Sequence, residues 1–242
     1  MTTVEAKNLT FEYSGGKPLL KDISFSIDEG ETFVVAGASG SGKTTLCRIL
    51  CGIIPHVYKG NLSGEITVMG VAPASQSLPQ SALRAGMVFQ DADSQIICTT
   101  VEDELAFGLE NLCTPPEDIR RRVDELLSEF GFEGLRNTNP TRLSGGQKKL
   151  LTIAAVLSTL PPVLVLDEPK SGLDDESQNL VSRAIDRQKQ QGRTVIIVEH
   201  DLRTVTSADT WLLLDDGAAA ACGRPSEMMN DENRLRELGV WA

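Results

Sequence analysis

Gly37-Ala38-Ser39-Gly40-Ser41-Gly42-Lys43-Thr44 has the spacing GxxxxGK[ST], a pattern suited to gripping phosphate. Its glycines let successive backbone N–H groups converge on phosphate oxygens, and a helix beginning there adds the positive end of its dipole. Lys43 then reaches the β and γ phosphates of a nucleotide, and Thr44 offers a hydroxyl to Mg²⁺. The stretch "VLVLDEP" supplies acids to match, because four apolar residues of a buried strand carry Asp167 and Glu168 to its C-terminal end. That end is where ligands bind in open α/β sheets. Asp167 suits Mg²⁺, directly or through water. Glu168, one residue on and expected on the other face of the strand, can take a proton from water attacking the γ-phosphate.

A second glycine-rich segment, Leu143-Ser144-Gly145-Gly146-Gln147, opens another helix. Ser144 and two glycine N–H groups at a helix start make a second phosphate cradle. One chain with two cradles needs an explanation.

These segments need elements to hold them. "ETFVVAG" reads as a short buried strand running into the first cradle, and "GASGSGKTTLCRILCGIIP" as a turn and an apolar-periodic helix that Pro55 stops. Val4 to Phe11, Ile23 to Ile27 and "SGEITVMG" read as β structure, the first two as an antiparallel region. The segment from about Asp91 to Leu160 looks mainly helical, with Ile119, Val123, Leu126, Leu127 and Phe130 on one helical face. "PVLVLDEP" and "RTVIIVEHD" are strands separated by a helix from about Asp175 to Gln191, an alternation that predicts a parallel sheet. "TWLLLDDGAAAACG" suggests a closing strand, a turn and a weak strand, since alanines are poor strand formers.

Bulk composition narrows the function classes. The 242 residues are 40% apolar and 24% charged, which is ordinary globular usage. No apolar run approaches the roughly 18 residues that span a bilayer, and Met1 to Gly16 lacks a signal peptide's apolar stretch, so a cytosolic protein is expected. A net charge of −11 argues against a nucleic-acid partner. The five cysteines show no CxxC pair, so neither a disulfide framework nor a zinc site is indicated.

Taken with the first cradle and its strand acids, "RLSGGQKKL" resembles the signature sequence of ATP-binding cassette (ABC) ATPases. That resemblance covers about residues 4 to 225 and implies an α/β P-loop NTPase core with an antiparallel β subdomain and an inserted helical signature subdomain. The expected layout is a single ABC ATPase domain, with core and β subdomain at about 1–90 and 161–225, the helical subdomain at about 91–160 and a C-terminal helix at about 226–242. It further implies ATP held by Tyr13, as adenine-stacking aromatic, and by Gly37, Ala38, Ser39, Gly40, Ser41, Gly42, Lys43, Thr44 and Thr45. Thr44, Gln90 and Asp167 would hold Mg²⁺, and Lys43, Gln90, Glu168 and His200 would form the catalytic set. Ser144, Gly145, Gly146 and Gln147 would meet the ATP of an opposite subunit in a head-to-tail dimer, which explains two cradles in one chain; Asp174 belongs to the D-loop. Apart from the resemblance, Tyr13 also reads as a core aromatic and His200 as a structural histidine. Lys170 stands where the family often has threonine, and Lys148-Lys149 where it more often has glutamine and arginine. Neither position belongs to the phosphate-binding set, so tuning rather than loss is expected.

An ATPase with no membrane span needs partners to transport anything. In importers of this family the segment after the Q-loop glutamine meets the membrane subunits, and here "FQDADSQI" followed by "TVEDELAFGLENL" looks like the version in energy-coupling factor (ECF) transporters, importers of vitamins or metal ions. Asp91, Asp93, Gln95 and Glu102, with Asp103 and Glu104, would then line a groove suited to arginines of a transmembrane coupling subunit, beside a substrate-binding membrane subunit, at the cytoplasmic face of the membrane. Equally, Thr99-x-x-Glu102 reads as a capping box, which needs no partner. The alternatives are the ATPase of another ABC importer class and a soluble ABC ATPase acting on DNA or ribosomes. A regulatory cassette without turnover is disfavoured by the intact Glu168 and His200.

Overall fold

Apolar residues, alternating except where the strand register shifts, put Val4, Ala6, Leu9 and Phe11 on the buried side of β1 (Thr2–Tyr13), and Leu20, Ile23, Phe25 and Ile27 on that of β2 (Pro18–Asp28). The two pair antiparallel, Ala6 opposite Phe25 and Val4 opposite Ile27. This computed structural model describes residues 1–205 and 207–241. β3 (Thr32–Gly37) is buried at every position and runs into the glycine-rich loop, after which α1 (Lys43–Leu50) begins. The helix does not continue to Pro55 as expected. It stops near Gly52, whose φ of 71° is left-handed backbone that glycine adopts without penalty, and Pro55 falls inside the short α2 (Ile53–His56). β4 (Gly60–Val68) pairs antiparallel with β1 and completes a three-stranded sheet in the order β2-β1-β4.

The chain continues through α3 (Leu78–Ala82), β5 (Ala85–Val88), α4 (Val101–Asn111), α5 (Pro116–Glu129) and α6 (Gly145–Ser158). Then follow β6 (Val163–Asp167), α7 (Asp175–Gln190), β7 (Thr194–Glu199), β8 (Thr210–Asp215) and β9 (Ala218–Gly223). Two short helices, α8 (Pro225–Met228) and α9 (Glu232–Glu237), take the place of the single C-terminal helix. Strands β5 to β9 and β3 form a six-stranded sheet in the order β5-β6-β7-β3-β8-β9. β6, β7, β3 and β8 are parallel, and the alanine-rich β9 closes the edge antiparallel to β8. Because β3, β6 and β7 run in one direction, Gly37, Asp167 and Glu199 all lie at C-terminal strand ends along one edge of the sheet.

The chain divides into two compact units. One comprises Met1–Met87, Pro162–Glu168 and the residues from Arg187 onward; the other comprises Val88–Pro161 and Pro169–Asp186. In the second, α4, α5 and α6 bury Val101, Leu105 and Leu109 with Val123, Leu126, Leu127, Leu151 and Leu157. Removing such side chains from water is the main source of that unit's stability.

Candidate functional site

In the first unit the loop between β3 and α1 is shaped by its contacts. A side chain at Gly37 would overlap the carbonyl oxygen of Leu214, so no other residue fits there. Lys43, the first residue of α1, is buried, and its Nζ donates to the carbonyls of Gly37 at 2.7 Å and Ala38 at 2.9 Å. Burial lowers the affinity of this amine for its proton, while the carboxylates of Glu168 and Asp167 act in the opposite sense. Thr44 Oγ1 donates to Asp167 Oδ2 at 2.8 Å. The other oxygen, Asp167 Oδ1, is buried with no hydrogen-bond partner. Burial raises the pKa of this carboxyl group, and the bond from Thr44 opposes the rise. A hydroxyl beside a carboxylate with an unpartnered buried oxygen is a donor pair that Mg²⁺ accepts when phosphates and water complete its shell. Among the described residues no group of three or more His, Cys, Asp or Glu could hold a metal ion by itself.

Glu168 corrects the expectation drawn from strand alternation. It lies one residue past the end of β6 with φ 49°, and its N–H donates to the carbonyl of Val198 at 3.0 Å. The turn, and not the pleat of the strand, therefore sets where its side chain points. A glutamate with left-handed backbone is uncommon, and such conformations concentrate at functional sites. His200 follows β7 with its side chain 61% exposed and Nδ1 3.9 Å from Glu199 Oε2. Tyr13 ends β1 half-buried, its ring edge-on to Phe11 at 4.9 Å and its hydroxyl 3.2 Å from Thr45 Oγ1. Thr45 is thus engaged from the Tyr13 side.

The second unit holds the rest of the set. Ser144 caps α6 through a reciprocal pair: its Oγ accepts from Gln147 N–H at 3.2 Å, and Gln147 Oε1 accepts from Ser144 N–H at 2.9 Å. Gly145 is exposed, and an added Cβ would meet nothing within 4 Å. Nothing in the chain's own packing requires glycine at this helical position, where it costs stability relative to alanine. Asp174 Oδ1 accepts from Ser177 N–H at 2.8 Å at the start of α7, which holds its carboxyl group below the usual range.

The segment after Gln90 is tied down by charges. Asp93 pairs with Lys148 at 2.6 Å, Glu102 pairs with Arg136 at 2.8 Å, and Arg136 also reaches Asp124. Asp91 Oδ1 accepts from Asp93 N–H, and Gln95 Oε1 accepts from Phe89 N–H. The cap of α4 is Thr100 with Asp103, one residue later than the Thr99 and Glu102 expected, because Thr100 Oγ1 accepts from Asp103 N–H. Sequence reasoning placed Glu104 among the groove acids and missed that it is a buried carboxylate whose Oε2 accepts from the N–H groups of Ile97 at 3.0 Å and Cys98 at 2.7 Å. It also missed the amine of buried Lys149, which donates to the carbonyl of Gln90 at 3.3 Å. The one available signal was that Lys148 and Lys149 depart from the family's pattern.

A family model described as "ABC transporter" matches residues 20–171. The chain belongs to the ABC transporter family. Within it, this ABC ATPase chain is 34% identical over 239 residues to the energy-coupling factor transporter ATP-binding protein EcfA1 of Mycoplasmoides gallisepticum, covering 99% of this chain and 84% of the relative. It is 35% identical over 238 residues to EcfA of Methanosarcina acetivorans, covering 98% and 85%. The structure of cbiO1 from Clostridium perfringens, described as part of the ABC transporter complex cbiONQ, superposes with a TM-score of 0.82 at 32% identity, covering 98% of this chain and 94% of that one. Other ABC relatives, from Caldanaerobacter subterraneus and Methanosarcina mazei, are longer, and the chain spans 42% of their length. The P-loop NTPase fold of the family accounts for the sheet order and for the glycine-rich loop at the end of β3.

Proposed function

We propose that this chain is the ATP-hydrolysing subunit of a membrane importer, working in a head-to-tail pair of ABC subunits that drives uptake of a vitamin or metal ion through ECF-type membrane partners. The observation that carries the ATPase reading is the Thr44–Asp167 pair beside the Lys43 loop, with Asp167 Oδ1 buried and unpartnered. The resemblance to proteins named as energy-coupling factor transporter subunits carries the importer reading. Among the described residues no helix is long and apolar enough to cross a membrane, which fits a peripheral subunit at the cytoplasmic face.

In this reading the backbone N–H groups of the Gly37–Thr44 loop grip the phosphates. Lys43 exchanges its carbonyl acceptors for β and γ phosphate oxygens, a charge-assisted bond stronger than the ones given up. Thr44 and Asp167, with Gln90 as a further contact, would hold Mg²⁺, which when bound would neutralise phosphate charge. Glu168 takes the proton of the attacking water, and His200 and Gln90 position the γ-phosphate. The opposite subunit supplies Ser144, Gly145, Gly146 and Gln147 against the same phosphates, with Asp174 nearby. Nucleotide binds the closed dimer more tightly than the open one, and this difference drives closure.

The surface of Asp91, Asp93, Gln95 and Glu102 remains the proposed seat of the membrane subunit. Any arginine arriving there competes with Lys148 for Asp93 and with Arg136 for Glu102. Replacement Glu168→Gln tests the catalytic reading. ATP binding should persist while turnover falls by roughly a hundredfold or more, the usual worth of a positioned general base. Undiminished hydrolysis would remove Glu168 from the role.

A further inference from the structure

Lys148 and Lys149 lie outside the phosphate-binding set, yet both reach the segment that begins at Gln90. Lys148 Nζ lies 2.6 Å from Asp93 Oδ1 across 55 positions of sequence, and Lys149 Nζ donates to the Gln90 carbonyl across 59. Both lysines sit in the first turns of α6, directly after the signature residues, and the Lys148 N–H bonds to the carbonyl of Ser144 at 2.9 Å. Lys149 is buried, and a buried ammonium is tolerated where acceptors meet it. Asp93 is in turn fixed to its own loop, since Asp93 N–H bonds to Asp91 Oδ1, and the N–H groups of Gln95 and Ile96 bond to the Ala92 carbonyl.

We propose that Lys148 and Lys149 clamp the backbone at Gln90 and the carboxylate of Asp93 to the start of α6, so that the nucleotide-sensing glutamine and the signature residues Ser144, Gly145 and Gly146 move as one body. The two lysines are positioning residues. They touch no substrate and act through Gln90 and through the helix that carries the second cradle. One anchor is an ion pair and the other a bond to a main-chain carbonyl, so the segment is held both by a side chain and by its backbone. Without the clamp, a shift of Gln90 on nucleotide binding dissipates in the loop and does not reach the signature.

The inference rests on the ATPase reading above, and the test separates the two. ATP turnover of the full chain is compared for Lys148→Asp, for the swap Lys148→Asp with Asp93→Lys, for Lys149→Met and for Lys149→Arg. Loss of coupling is expected to lower kcat about tenfold in Lys148→Asp and Lys149→Met with KM for ATP changed little, a typical size for coupling between sites. The swap and Lys149→Arg should each recover most of the lost rate. Hydrogen exchange at the amides of Asp93, Gln95 and Ile96 reads the clamp without hydrolysis, and it should quicken in Lys148→Asp and Lys149→Met. Inactive wild-type chain would overturn the ATPase reading, with exchange still deciding the clamp. Unchanged exchange in both variants, or a swap no better than Lys148→Asp alone, overturns the clamp.

Discussion

The fold does not require glycine at position 145, whereas the proposed chemistry does. It occupies a helical position, is exposed, and leaves open space where a Cβ would go. Replacement by alanine should therefore raise stability, by up to about 1 kcal/mol on helix propensity. If the backbone N–H groups here approach a phosphate on another subunit, the added methyl lowers ATP turnover by about tenfold. Thermal denaturation and steady-state hydrolysis of Gly145→Ala check the two halves separately, and a more stable variant with full activity would remove the cradle. That Thr44 and Asp167 lie beside one another follows from local spacing and from one strand end. Glu168 was legible as a residue but not as a direction, since its left-handed backbone follows from the turn after β6 and not from alternation along the strand.

Helix ends show where local rules suffice and where packing overrides them. The cap of α6 is the reciprocal Ser144–Gln147 pair written in its sequence, whereas α4 begins one residue later than its sequence suggests. Two side chains compete for that role, and Glu102 is withdrawn by Arg136, which lies 34 residues away in the chain. Glu104, read from sequence as one more groove acid, instead faces inward and accepts two N–H groups of the preceding loop. Replacement Glu104→Ala removes the charged acceptor of both N–H groups, and a hydrogen bond to a charged group contributes about 1.5–3 kcal/mol. The loss should appear as a lower unfolding midpoint and as faster hydrogen exchange at Ile97 and Cys98. Unchanged exchange at those two amides would deny Glu104 this role. The pairing of Arg136 with Glu102 joins residues far apart in the chain, and no periodicity or motif encodes it.

For the molecule as a whole, the alternation of strands and helices foretold the parallel sheet, whose strands β3, β6 and β7 are buried at every position. The alanine strand β9 owes its place to pairing with β8, which offsets poor intrinsic propensity. The two proposed phosphate cradles, the Lys43 loop in one compact unit and the Ser144 segment in the other, are what calls for a second subunit in this reading. The central claim is that each ATP is hydrolysed between the Lys43 loop of one copy and the Ser144 segment of another. The direct test is ATP turnover in an equimolar mixture of two chains, one carrying Lys43→Ala and the other Ser144→Arg. Each should be inactive alone, and half of the randomly formed pairs carry one intact shared site, so the mixture should recover about a quarter of the wild-type rate. A mixture no more active than its separate parts, beside an active wild-type chain, would contradict the shared site.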